Sequence, residues 1–155
     1  MERQGLSERE LRAWRAFVQM QEVLRSRIEQ QLQAGSGLSN ADYSVLVALS
    51  EAPGGRLRAY ELSDELGWEK SRLHHQLTRM CKRGLVERQS GASRAMYAAL
   101  TPEGRTALGE AAPSHAQEVR RLVIDRLTAE QIDQLAEISS AILDHLHTDH
   151  PAVGG

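Results

Sequence analysis

Apolar residues at Leu11, Trp14, Phe17/Val18, Leu24, Ile28 and Leu32 hold one helical face for about seven turns, and Ser7 with Glu10 has capping-box spacing at the start. Gly35-Ser36-Gly37 stops that helix. Ser39 with Asp42 repeats the capping signal, and Tyr43, Val45, Leu46 and Leu49 then predict a short core helix ending at Pro53-Gly54-Gly55. Arg58 to Leu66 reads as a third helix, with Leu62 and Leu66 one turn apart and Gly67 at its end. A fourth runs from about Glu69 to Arg83, with Leu73, Leu77 and Met80 on one stripe and Gly84 as terminator.

The pattern then changes period. Leu85–Arg88 and Ala95–Leu100 are short strand candidates around Gln89-Ser-Gly-Ala-Ser-Arg94, a hairpin tip, so a two-stranded wing is expected. Thr101-Pro102 sets an N-cap residue before proline at the first helical position, and a long helix should follow to about Leu127, with Pro113 a candidate kink. Thr128 with Gln131 caps a last helix, whose apolar face is Ile132, Leu135, Ile138, Ile142 and Leu146.

Helix, tight turn, second helix, strand, glycine-bearing tip, strand and capped helix, in that order, describe a winged helix-turn-helix within a mainly α (α+β) fold. The second helix of such a pair is built to enter a major groove. Opposite the Leu73/Leu77/Met80 stripe stand Ser71, His75, Thr78, Arg79 and Lys82, with Arg72 and His74 beside them and Lys70 in the first turn. Hydroxyl, imidazole and guanidinium groups can bond base edges, while the lysines can neutralise phosphate. Arg94, near the hairpin tip, is placed to reach a minor groove.

Charge sharpens this picture. The chain of 155 residues has a formal net charge of −2, yet Arg56 to Arg94 holds nine bases against five acids, a net of +4 that leaves −6 elsewhere. A basic centre between acidic ends suits a DNA-reading head on a non-reading scaffold. The length suits a single domain, residues 1–155. No apolar run approaches the roughly 18 residues of a membrane span, and no secretory signal pattern opens the chain, so a cytoplasmic protein without a membrane partner is expected.

Other chemistry finds little purchase. Cys81 is the lone cysteine and lies near a helix carboxyl end, where the dipole disfavours thiolate. His145, His147 and His150 are poorly spaced for a metal, because residues two apart on a helix point about 200° away from each other. Trp14, Tyr43 and Trp68 suit a core better than a ligand pocket. No nucleophile elbow, phosphate-cradling loop, HExxH signature or carboxylate pair points to catalysis, and no cofactor is implied.

Leu62-Ser-Asp-Glu-Leu-Gly67, Met80-Cys-Lys-Arg-Gly-Leu-Val86, and Arg94 followed by Leu100-Thr-Pro-Glu-Gly104 resemble the MarR family of bacterial transcription regulators over essentially the whole chain. That resemblance implies a homodimer built by helices at 7–34 and 102–147, a DNA-binding lobe at 39–101, a recognition helix at about 69–83 and a wing arginine at Arg94. It implies binding to a pseudo-palindromic double-stranded operator, usually as a repressor, with release by a small-molecule effector in many members; no residue here marks a ligand site. At Ala92 the chain departs from the family, which commonly carries aspartate two residues before the wing arginine. A protein-interaction adaptor, or a small-molecule binding protein without DNA function, are the other classes this lobe serves.

Overall fold

The computed structural model describes residues 5–149. Its elements run α1 (Glu8–Ser36), α2 (Asn40–Glu51), β1 (Arg56–Arg58), α3 (Ala59–Leu66), α4 (Lys70–Lys82), β2 (Val86–Ser90), β3 (Met96–Leu100), α5 (Pro102–Leu122) and α6 (Ala129–Thr148). All three capping boxes form as predicted. The side chains of Ser7, Ser39 and Thr128 accept from the N–H groups of Glu10, Asp42 and Gln131, whose own side chains accept in return from the cap N–H groups. Each box satisfies two amide donors that the helix start would otherwise leave bare.

The core lies where α2, α3 and α4 meet. Val45, Leu46, Leu49, Leu62, Leu73 and Met80 are fully buried there, with Leu77, Val86 and Ala98 closing the cluster. Burying one such leucine contributes about 1.5–3 kcal/mol, so this lobe is the best-anchored part of the first compact unit.

The expected two-stranded wing forms from β2 and β3, and β1, which the sequence did not reveal, adds a third strand to give an antiparallel sheet of order β1-β3-β2. The sequence pattern assigns Arg56 and Leu57 to no element and opens a helix at Arg58, because β1 contributes a single apolar residue, Leu57, opposite Ala98. Pairing with β3, not local pattern, makes it a strand.

α5 is pinned at its start by Thr101. Its hydroxyl accepts from the Gly104 N–H (2.9 Å) and donates toward the carbonyls of Gly84 (2.6 Å) and Leu85 (3.0 Å). Gly84 turns the chain from α4 into β2 with φ +75°, a left-handed conformation that costs other residues about 1 kcal/mol or more. Gly104 has a different reason to be glycine: a Cβ there would overlap the Leu85 carbonyl oxygen. The helix passes through Pro113 and ends at Leu122, short of the predicted Leu127, because Val123 leaves helical geometry (φ −122°, ψ −65°) and a 3-10 turn follows.

The chain forms two compact units, one extending to Ala116 and the other beginning at Gln117. In the first, α1 leaves Trp14, Phe17, Val18, Met20 and Val23 exposed, so Trp14 is not a core residue of the protomer. In the second, α6 leaves Leu135, Ile138, Ile142, Leu143 and Leu146 exposed. Among the described residues no helix is long and apolar enough to cross a membrane.

Candidate nucleic-acid interface

α4 buries Leu73, Leu77 and Met80 and turns its polar side outward, as the stripe predicts. Lys70, Ser71, Arg72, His74, His75, Arg79 and Lys82 are exposed, and Thr78 is half-buried. The side chains of Lys70, Ser71 and Lys82 make no hydrogen bond or ion pair with another described residue, which leaves them free for an outside partner. No acid stands in the first turn of α4; Glu69 is its N-cap residue.

Apart from Lys82, the predicted residues of α4 fall into three groups. Lys70, Ser71, His74 and His75 border a groove of about 730 Å³ between α4 and the wing, floored by Leu73, Leu77 and Ala98. Arg88 of β2 spans that groove: its Nη2 donates to Thr78 Oγ1 at 3.2 Å and lies 3.3 Å from His74 Nδ1. Arginine has only donors, so in this contact His74 Nδ1 is the acceptor. Thr78 in turn donates to the His74 carbonyl. Arg88 was counted among the bases of the segment but not as an interface residue. Its neighbour across the sheet, Ala98, is buried, and that pairing is what brings Arg88 against α4.

Arg79 belongs to a second group. Its Nη2 donates to Gln76 Oε1 at 2.7 Å, Gln76 Nε2 donates to Asp42 Oδ1 at 2.6 Å, and Arg83 Nη1 pairs with Asp42 Oδ2 at 2.7 Å. Gln76 and Asp42 are both almost completely buried. Burial pushes the Asp42 carboxyl up, but the Ser39 N–H, the Arg83 guanidinium and the Ser39 hydroxyl together outweigh it and hold the group below the usual aspartate value. Neither Gln76 nor Asp42 stands out in the sequence as a support beneath the outward face of α4. Gln76 did carry a signal, since that position lies directly beside the apolar stripe, about 40° beyond Met80 around the helix.

Arg72 faces a third environment. Its guanidinium lies over the Trp68 ring, 4.3 Å from the centroid, and lines a cavity of about 590 Å³ together with Arg25, Tyr43, Trp68 and His115. Tyr43 and His115 stack at 4.2 Å, and His115 Nδ1 is buried without a hydrogen-bond partner. Burial lowers the His115 pKa. Tyr43 and Trp68 therefore both abut the core and line a cavity, where the sequence favoured core alone.

The wing tip is built differently from a glycine turn. Gly91 is extended (φ −108°), and the left-handed residues are Ser93 (φ 58°) and Arg94 (φ 62°). A Cβ at Gly91 would strike the Tyr97 ring, which explains the glycine. Arg56 covers the same ring, its guanidinium 4.3 Å from the centroid. Arg94 is exposed, and among the described residues no carboxylate meets it, as Ala92 implies.

Elsewhere, Cys81 is half-buried against the core. His145 Nε2 lies 3.8 Å from Asp149, and His150 is outside the described residues.

A sequence model of the MarR family matches residues 36–94. Among solved structures, Sco3205, a MarR family transcriptional regulator from Streptomyces coelicolor crystallised in complex with DNA, superposes with a TM-score of 0.90 at 36% identity, over 97% of this chain and 94% of its own. AbsC, another MarR family regulator of that organism, gives 0.89 at 36% identity, over 95% of this chain and 100% of its own. CouR from Rhodococcus jostii RHA1, bound to p-coumaroyl-CoA, shares the fold at 22% identity and a TM-score of 0.74, over 83% of this chain and 89% of its own. No curated protein matches the chain significantly.

Proposed function

The chain belongs to the MarR family of DNA-binding transcription regulators, and we propose that it represses transcription in the cytoplasm as a homodimer on a pseudo-palindromic operator. The observation that carries this reading is α4, which commits its apolar stripe to the core and leaves Lys70, Ser71, His75, Arg79 and Lys82 outward beside a wing bearing Arg88 and Arg94. α4 would lie in the major groove and Arg94 in the flanking minor groove. Residues 39–101 then form the reading lobe. The exposed apolar residues of α1, within 7–34, and those of α6, within 102–147, each suit a part in dimerisation, since exposed apolar faces mark association. The family is one of transcription regulators rather than enzymes.

A small-molecule effector is the second part of the proposal. The cavity beside Tyr43, Trp68 and His115 reaches Arg72 on α4 itself, so a ligand lodged there would act directly on the reading helix. The relative CouR, crystallised with p-coumaroyl-CoA, shows this fold accepting a small ligand.

Selection of bound fragments from genomic DNA followed by hydroxyl-radical footprinting tests the operator geometry. Two protected patches about 10 base pairs apart, centre to centre, are expected from sister recognition helices one turn apart. Selection that recovers no common sequence would favour the adaptor reading.

A further inference from the structure

We infer that Gln76 is a positioning residue that aims Arg79 at DNA, through an anchor it shares with the start of α2; this rests on the reading of α4 as the recognition helix. Gln76 has no route to DNA of its own, being 3% exposed. Its amide is engaged at both ends, in opposite directions. Nε2 donates inward to Asp42 Oδ1, and Oε1 accepts outward from Arg79 Nη2. Asp42, acceptor-only as a carboxylate, dictates that the amide nitrogen faces it, so the oxygen must face Arg79.

The anchor itself is fixed three times over. Asp42 accepts from the Ser39 N–H in the capping box, from Gln76 and from Arg83, whose Nη2 also donates to the Gly37 carbonyl at the end of α1. The relay therefore ties the α1–α2 junction to an exposed guanidinium on α4. One donor of Arg79 is spent on Gln76, and the remaining donors of its planar fork stay available to pair bidentately with a base edge. An arginine on a flexible stem loses rotamer freedom on binding, and a preformed hydrogen bond removes part of that cost beforehand. Arg79 should thus read one base pair per half-site more sharply than the unanchored Lys70 or Lys82 can.

The test uses the full chain with Gln76→Met, Arg79→Ala and both together, on a selected fragment and its single-base-pair variants at fixed salt. Gln76→Met should weaken binding about tenfold and flatten discrimination at one position per half-site, within the range for one base contact. Added to Arg79→Ala it should cost under about twofold more, because the two act as one unit. The salt slope should not change, since no phosphate contact is lost. Gln76→Glu with Asp42→Asn reverses the donor and acceptor and keeps an acceptor for Arg79, so it should restore discrimination; it also decides the matter if Gln76→Met fails to fold.

Multiplying effects of the two substitutions, or full discrimination in Gln76→Met, would overturn the inference. Nitrogen relaxation of the Arg79 side chain separates it from the regulator reading. If the wild-type chain discriminates no sequence, that reading fails. The anchoring of Arg79 is then decided by whether Gln76→Met releases its guanidinium.

Discussion

Two glycines of α5 predict opposite responses to the same substitution. At Gly104 a Cβ would overlap the Leu85 carbonyl oxygen and come within 2.9 Å of Leu100 Cδ1. The carbonyl cannot retreat freely, because it already accepts from the Thr101 N–H (3.3 Å) and hydroxyl (3.0 Å), and Gly104 N–H itself donates to that hydroxyl. Overpacking costs about 1–3 kcal/mol, and disturbing an N-cap about 1 kcal/mol, against a gain of up to about 1 kcal/mol in helix propensity. Gly104→Ala should therefore destabilise by roughly 2 kcal/mol. At Gly109 nothing lies within 4 Å of the added carbon. Gly109→Ala should stabilise by about 0.5–1 kcal/mol, having only the entropy of the unfolded chain to act on.

For a chain of this size each kcal/mol moves Tm by about 2–4 °C, so far-UV circular dichroism melts should separate the two variants on either side of wild type. Protomer concentration has to be held constant, since the Tm of an oligomer depends on it. A Gly104→Ala protein as stable as wild type, or two shifts of the same sign, would refute the reasoning about the α5 junction.

Further expectations concern the dimer, the groove and the acid limb. Ile142→Glu, on the exposed face of α6, should convert a dimer to protomers of 17.2 kDa by light scattering and abolish tight operator binding. Arg88→Ala removes the contacts to His74 and Thr78 and should weaken operator binding about fivefold in an anisotropy titration, near 1 kcal/mol. The Asp42 carboxyl is depressed in the fold, so its stabilisation is complete above the unfolded value near 3.9 and is lost as pH falls through the lower folded value. His115 is depressed too, so stability should begin to erode as pH drops below about 6.5; denaturant titrations across pH with Asp42→Asn and His115→Gln resolve the two steps.

What the sequence disclosed follows from the range of each interaction. Capping boxes act over three residues and the α4 stripe over about two turns, so Ser7, Ser39, Thr128 and Leu73/Leu77/Met80 were all legible. β1 was not, because three residues with one apolar member carry no period and its pairing partner lies some forty residues on, at Tyr97–Ala99. The end of α5 was overrun because Val123 and Ile124 continue the apolar pattern while the backbone has already left the helix. At the interface the outward residues of α4 could be listed, but not what holds them. Arg72 turns onto Trp68, Arg79 onto Gln76 and Arg88 across to His74, each a choice made by neighbours that only the packed lobe brings together.

The most direct test of the account is fluorescence anisotropy of the purified chain on DNA from upstream of its own gene, against scrambled DNA, through a salt series. The account predicts tight, sequence-selective binding that falls with a log–log slope of about −0.9 per phosphate neutralised, weakened by Arg79→Ala and Arg94→Ala. Weak binding to every DNA tried, including fragments selected from the genome, with indifference to both substitutions, would contradict it.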